Sequence, residues 1–403
     1  MIVDTVEAFA VQNPPPSFGG RYFVMVKVTT RDGVTGWGEA YGATLRAHQM
    51  TALIEDLADQ YLVGHDARRV EDLFRRAYGR GFTQRPDVTM MAALSALEIA
   101  CWDIVGRHLN QSVHDLLGGR VRDRVRAYTY LYPRDGDTAD VYVDADTAAE
   151  RAADMVGAGF TAVKFDPAGP YSAHGPYQPS LRRLDVSEAM VAAVRDAVGD
   201  RADILFGTHG QFTAAGALRL ARRLEAYDPL WFEEPVPPDD IAAMAEVARG
   251  CRIPIAAGER LTTVHEFARL LEARAVSIVQ CNLARAGGLL QGKKIAAIAE
   301  AFSAQIAPHC YNGPVGAAAN LALAACTPNL LVLETILGFD HGLHRDLLTT
   351  PLQMHEGFVV VPDGPGLGVD VDEDVVRAHP YTGRDLHLSM ADAPIEDVDP
   401  LHP

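Results

Sequence analysis

Cysteine is scarce and scattered in this chain. The five thiols, Cys101, Cys251, Cys281, Cys310 and Cys326, are odd in number and contain no CxxC pair. That argues against a disulfide framework or a thiolate metal cluster and suits a reducing cytoplasm. A long basic run is also missing: Asp and Glu number 53 against 36 Lys and Arg, for a net charge of −17. Neither a nucleic-acid groove nor an anionic membrane surface is therefore expected as a partner. No apolar run approaches the ~18 residues of a membrane span, and no basic segment leads into an apolar core at the N-terminus. A cytoplasmic protein without a signal peptide or transmembrane helix is expected. The acidity leaves small anionic substrates open, because a bound cation and a few lysines can reverse the local field.

What is present is apolar and periodic. Of 403 residues, 48% are hydrophobic and 22% charged, enough for a large core and more than one domain. Residues 21–40 alternate as a hairpin, with Tyr22–Thr29 and Val34–Trp37 as strands and Asp32-Gly33 as the turn. Gln12–Gly20, before it, reads as a surface loop. After Glu39 the pattern is helical to about residue 120, most strongly over Ala92–Arg107. From about residue 124 short apolar strands alternate with amphipathic helices. The strands are Val125–Tyr130, Ala162–Phe165, Ile204–Phe206, Leu230–Phe232, Ile253–Ala257, Ser277–Gln280, Ala304–Ala307 and Leu330–Leu333, and a helical pattern follows each but the last. Such a βα repeat predicts a closed parallel barrel of (β/α)7β type. An open doubly wound sheet is the alternative, but no Gly-rich dinucleotide turn follows the first strand. The expected division is an N-terminal α+β capping domain over 1–123, the barrel over 124–345, and a tail over 346–403 that folds back to complete the cap.

Barrel active sites lie at the carboxyl ends of the strands, and here those ends are polar: Asp166, His209, Glu233, Glu259, Asn282, His309 and Glu334. The apolar run Leu230-Trp231-Phe232 stops in Glu233-Glu234-Pro235, and one βα unit of 26 residues later comes Glu259. Two carboxylates at one height on neighbouring strands repel unless they share a proton or a cation, and oxygen ligands suit Mg²⁺. The same step backwards reaches Gly207, where a third carboxylate is expected and absent. His209 lies two residues on, and Asp166 on the preceding strand offers an oxygen in its place. Lys164 just precedes Asp166; a solvated lysine and a salt-bridged Glu334 are the plain structural readings.

Several segments resemble the enolase superfamily, in its mandelate racemase/muconate lactonizing enzyme-like branch of sugar-acid dehydratases. They are Trp37-Gly38-Glu39-Ala40, Ala93-Leu94-Ser95-Ala96-Leu97-Glu98-Ile99-Ala100-Cys101-Trp102-Asp103, Leu116-Leu117-Gly118-Gly119, Glu233-Glu234-Pro235, Gly258-Glu259-Arg260 and Asn282 to Gly288. The resemblance implies a Mg²⁺ ion that stabilises the enediolate formed when a proton leaves the carbon α to a carboxylate. By position, Glu233 and Glu259 match two of its ligands and Gly207 falls where an aspartate belongs, with Asp166 as the candidate replacement. Lys164 matches the first lysine of a KxK motif whose second is replaced by Asp166. His209 matches a histidine of the mannonate and galactonate dehydratases. His309 matches the seventh-strand histidine, whose usual aspartate partner is replaced by Asn282. Glu334, Asn282 and Arg260 are expected to contact substrate.

The expected function is Mg²⁺-dependent dehydration of a sugar acid to a 2-keto-3-deoxy acid. His309 is expected as base and His209 as acid, with the roles open to exchange. A racemase, epimerase or cycloisomerase using the same enediolate is one alternative; a sugar-acid-binding barrel with altered chemistry is the other. Gln12–Gly20, Tyr41–His48 and Pro167–Ser180 are expected to select the substrate, and a homo-oligomer is implied by resemblance.

Overall fold

The computed structural model describes residues 1–401 apart from Ala43, Asp135 and Thr138, so one position of the Tyr41–His48 segment and the last two residues of the tail lie outside the described residues. The chain opens with an antiparallel meander of β1 (Val3–Gln12), β2 (Tyr22–Thr30) and β3 (Thr35–Ala40). β1 was not expected. It is an edge strand of half-buried residues, with a weak period-two signal, and pairing with β2 fixes it. Three helices follow: α1 (Ala47–Tyr61), α2 (Val70–Tyr78) and α3 (Val88–Leu109). α3 starts four residues before Ala92 because the Asp87 carboxylate accepts from the Thr89 and Met90 amides. It is long and apolar enough to cross a membrane by composition, but 78% of that stretch is buried inside this protein.

The barrel strands are β4 (Arg124–Tyr130), β5 (Ala162–Phe165), β6 (Asp203–Gly207), β7 (Trp231–Glu233), β8 (Ile255–Ala257), β9 (Ile278–Val279), β10 (Gln305–Ile306) and β11 (Leu333–Thr335). β4 to β10 pair in parallel in chain order, β11 pairs with β4 through Glu334↔Tyr128, and a bridge from Ile306 to Leu330 completes the ring. Helices of nine to eighteen residues follow each strand from β4 to β10, whereas β11 is followed by short helical segments such as the five-residue Gly342–Asp346. This is a (β/α)7β barrel. The last strand lies later than Leu330–Leu333: Leu330 makes a single bridge to Ile306, and the ladder forms where Glu334 meets β4.

One side chain per strand fills the barrel interior: Tyr128, Ala162, Leu205, Trp231, Ala256, Ile278, Ala307 and Val332. The three alanines leave the volume that Tyr128 and Trp231 occupy. Two residues later on the same face come Tyr130, Lys164, Gly207, Glu233, Gln280, His309 and Glu334. β8 breaks this step. Gly258 stands there with φ +132°, a value that suits glycine, and Glu259 follows it.

Two buried acids, Glu39 and Glu98, join the N-terminal elements to the barrel, and a third, Asp103, ties them to one another and to the tail. Glu39 accepts from the Gly313 and Gly316 amides, at the start of helix Pro314–Ala325. Glu98 accepts from the Leu289 and Leu290 amides at 2.7 and 2.9 Å, at the start of helix Gly288–Ala301, and from Trp102 Nε1. Asp103 accepts from the amides of Trp37 and Leu367, both at 2.9 Å, and from Arg107. The first helical turn leaves N–H groups unpaired and carries positive potential, so Glu39 and Glu98 cap barrel helices from another part of the fold.

The tail adds a hairpin, β12 (Met354–His355) and β13 (Phe358–Val360), whose second strand pairs antiparallel with β4. Beyond it, the Tyr381 amide donates to Ala10 O, and Glu373 and Arg377 form ion pairs with Lys27 and Glu7. Further on, Ala391 and Ala393 accept hydrogen bonds from Ala173 and Ser172 in the loop after β5. Glu98→Ala is expected to leave buried amides at the start of Gly288–Ala301 unpaired and to cost about 1–3 kcal/mol. A lower urea midpoint with an unchanged m-value would show this.

Candidate active site

At the carboxyl mouth of the barrel, Lys164 lies at the centre of the buried charge. Its ammonium donates to Glu233 Oε1 at 2.5 Å, lies 3.9 Å from Glu334 Oε1, and sits over the Tyr130 ring at 4.8 Å. Burial opposes its charge, but Glu233, Glu334 and Glu259 outweigh burial and hold it above the ordinary lysine value. Glu233 accepts two further hydrogen bonds on Oε2, from Trp231 Nε1 at 3.1 Å and Gln280 Nε2 at 2.7 Å. Burial pushes its proton affinity up and Lys164 opposes that. Both oxygens receive N–H donors, which a carboxylate satisfies together, so the pair is ionic. Glu234, next in the chain, is buried with Arg260 Nη1 2.9 Å from its Oε2.

Asp166 and Gly207 interlock. A Cβ built at Gly207 would overlap Asp166 Oδ1 and meet Tyr130 Oη at 2.5 Å. The Asp166 carboxylate therefore fills the space that a side chain at 207 would take. Tyr130 Oη donates to Asp166 Oδ1 at 3.2 Å, while Oδ2 lies 3.7 Å from His209 Nδ1. Burial raises Asp166 to about 6, against hydrogen bonds from Tyr171 and Tyr130 and the charge of Lys164. His209 is pushed down to about 3, chiefly by burial, and so is neutral. The Tyr171 ring meets it edge-on at 4.6 Å, and Arg260 Nη1 donates to its backbone carbonyl at 2.9 Å.

Across the mouth, His309 is also lowered by burial, against the pull of Glu259 and Glu334. Its Nε2 is 3.4 Å from Glu259 Oε2 and 4.0 Å from Glu334 Oε2, and its Nδ1 is 2.7 Å from Asn282 Nδ2. Glu334 Oε2 also accepts from the Cys310 amide. Glu259 is held well below the usual carboxylate range: burial opposes this, and His309, Arg260, His209 and Lys164 overcome it. All nine residues named from the sequence thus lie around one mouth. Sequence pattern did not mark Tyr130, the polar-tipped end of β4, or Gln280, which alternation from Asn282 would have placed inward. Nor did it mark Arg285, which stacks on Tyr41 at 4.2 Å and donates to Glu259 O. No local signal points to His387, a buried tail residue that packs on Tyr41 at 4.9 Å, while Tyr41 in turn meets His309 edge-on at 5.6 Å.

The ligand set expected for a cation, Glu233, Glu259 and Asp166, does not come together. Glu233 is saturated by Lys164, Trp231 and Gln280, and Asp166 is turned to Tyr130 and His209. Glu259 faces His309 Nε2 at 3.4 Å and Arg260 Nε at 3.7 Å. Among the described residues no group of three or more His, Cys, Asp or Glu side chains is placed to hold a metal ion. These donors do not fit a three-carboxylate magnesium site, and no step below passes through one. Calorimetric titration of the chelator-treated protein with Mg²⁺ is expected to show no saturable heat below millimolar concentrations. Tight binding would mean that Glu233 exchanges Lys164 for the ion.

Comparison with known proteins agrees with this architecture. Residues 6–118 match the mandelate racemase / muconate lactonizing enzyme N-terminal domain, and residues 147–375 match the enolase C-terminal domain-like family. The D-gluconate dehydratase of Thermoproteus tenax is 37% identical over 93% of this chain and 72% of its own length. The D-galactonate dehydratase of Ralstonia nicotianae is 36% identical, over 88% and 90% respectively. The solved structure of a mandelate racemase/muconate lactonizing enzyme-like protein from Roseovarius sp. TM1035 superposes with a TM-score of 0.95 at 49% identity, covering 98% of this chain and 99% of that one.

Proposed function

The chain belongs to the mandelate racemase / muconate lactonizing enzyme family of the enolase superfamily, and on that premise we propose that it is a hydro-lyase acting on acid sugars. The reaction removes the proton α to the substrate carboxylate, forms an enediolate, expels the β-hydroxyl as water and yields a 2-keto-3-deoxy acid. The relatives named as gluconate and galactonate dehydratases support the substrate class.

The observation that carries the reading is a pair of neutral histidines on opposite sides of the barrel mouth. His209 follows β6 and His309 follows β10, four strands apart in the ring of eight. A neutral imidazole is the side chain suited to proton transfer near pH 7. Lys164 stays protonated beside its carboxylates, so its contribution is positive charge near the developing enediolate rather than proton abstraction. Arg260 is partly exposed at the mouth and is suited to receive the substrate carboxylate, with Asn282 and Glu334 shaping the wall around His309. The magnesium implied by the resemblance is not part of this reading, because Glu233 is committed to Lys164, Trp231 and Gln280 and Asp166 to Tyr130 and His209.

Substrate choice is assigned to Gln12–Gly20, Tyr41–His48 and Pro167–Ser180, with tail residue His387 added to the wall. The opposed histidines also favour a second reading, racemisation or epimerisation through the same enediolate. Incubation with a panel of acid sugars that includes D-gluconate and D-galactonate separates the two. Keto-acid formation is expected. An epimer or lactone without keto acid would overturn the dehydratase reading.

A further inference from the structure

Three positions depart from what the resemblance implies: Asp166 where a lysine is expected, Gly207 where an aspartate is, and Asn282 where an aspartate is. In space they are two matched changes on opposite sides of the mouth. Asn282 Oδ1 accepts from the Ala284 amide at 2.8 Å, which fixes the orientation of its side-chain amide. Asn282 Nδ2 then points at His309 Nδ1, 2.7 Å away, and at Asn312 Oδ1, 3.1 Å away. An amide nitrogen only donates, so His309 Nδ1 accepts and the ring proton sits on Nε2. The carboxylate oxygens of Glu259 and Glu334, at 3.4 and 4.0 Å, face that N–H. A nitrogen that already carries its proton cannot take another from the substrate.

The opposite change is made at His209. Its Nδ1 is buried without a hydrogen-bond partner and faces Asp166 Oδ2 at 3.7 Å. Tyr130 holds the other oxygen of that carboxylate, and the carboxylate lies in the space left by the missing side chain at 207. A small rotation brings Nδ1–H onto Oδ2 and leaves Nε2 as the unprotonated nitrogen; catalytic hydrogen bonds are often long until substrate binds. Asp166 would otherwise be one more buried acid at the mouth. The overlap with position 207 and the orphaned Nδ1 give its carboxylate a direction.

We propose that His209, oriented by Asp166 over Gly207, is the general base of this enzyme, and that His309, fixed by Asn282, serves as a hydrogen-bond donor and not as the base. This assignment rests on the dehydratase reading; it gives His209 the base role expected for His309 and makes His309 a hydrogen-bond donor rather than the acid. The Cα–H bond breaks, its proton goes to His209 Nε2, and the electron pair enters the carboxylate, whose charge the His309 N–H and Lys164 stabilise. The Cβ–O bond then breaks with its electron pair on oxygen. That oxygen takes the proton back from His209 and leaves as water, so the enzyme returns to its starting protonation. Asp166, Gly207 and Asn282 are positioning residues.

The first test uses the full chain labelled with ¹⁵N-histidine, without substrate. Long-range ¹H–¹⁵N spectra, assigned with His209→Asn and His309→Asn, are expected to show His309 protonated on Nε2 and His209 on Nδ1. His309 protonated on Nδ1 would overturn the proposal. The second test follows α-hydrogen exchange in D₂O with D-gluconate or D-galactonate, whichever is converted. His209→Asn is expected to abolish exchange, while His309→Asn slows turnover but retains it. Asp166→Asn is expected to lower kcat about 10²–10⁴-fold with little change in KM. Gly207→Ala should lower kcat in the same way with Asp166 still present, because the new methyl displaces its carboxylate. Exchange that survives in His209→Asn and is lost in His309→Asn would overturn the assignment. If no acid sugar gives a keto acid, the dehydratase reading fails, and the tautomer spectra still decide the histidine pair.

Discussion

The protein depends on a plug of eight side chains across its barrel. Tyr128 and Trp231 fill the room that Ala162, Ala256 and Ala307 leave, and this closed packing fixes the facing of every strand. Once those residues point inward, alternation places Lys164, Gly207, Glu233, Gln280, His309 and Glu334 inward one step nearer the mouth. A one-residue slip would turn a strand's polar end into the helix layer and, on β5, β6 or β7, could bring Phe165, Phe206 or Phe232 into the site. Fold and site are therefore a single commitment. Only β8 departs from the step, and Gly258 supplies the backbone freedom for it.

A second constraint ties the smaller N-terminal elements to that barrel. Glu39 and Glu98 donate no hydrogen bonds to it; they accept from its helix starts, where free amides are concentrated. Asp103 does the same for the backbone of β3 and the tail loop at Leu367. Through these joints Tyr41, just beyond β3, reaches His309, and the tail brings His387 against Tyr41. The rim over the barrel mouth is thus set by carboxylates far from the chemistry.

Within the mouth, charge and shape act together. Lys164 commits Glu233 to an ion pair that Trp231 and Gln280 complete, which removes that carboxylate from other tasks. Glycine at 207 leaves the space that the Asp166 carboxylate occupies. The site keeps its acidity while changing which side chain the acid serves. Asparagine at 282 makes the complementary change at His309, by substituting a donor for an acceptor. No one of these three residues has a clear meaning alone; their sense lies in which atoms they face.

The sequence by itself determined the barrel, its seven helices and the set of polar strand ends, because alternation and the βα period are local properties that survive in a string of letters. It also marked Glu39, Glu98 and Asp103 as members of a recognisable pattern, without saying that the first two accept from barrel backbone and the third from β3 and the tail. β1 escaped notice because an edge strand that is half buried has a weak alternation. β11 was placed early because Leu330–Leu333 is the more apolar stretch, whereas its ladder is decided by partners on β4 more than two hundred residues away. Only the tertiary structure decided that Glu233 is spent on Lys164, that Asp166 lies over Gly207 and faces His209, and that Asn282 donates to His309. Those are distances and donor directions between residues remote in the chain, and hydrogen-bond direction is a property of geometry that spacing does not encode.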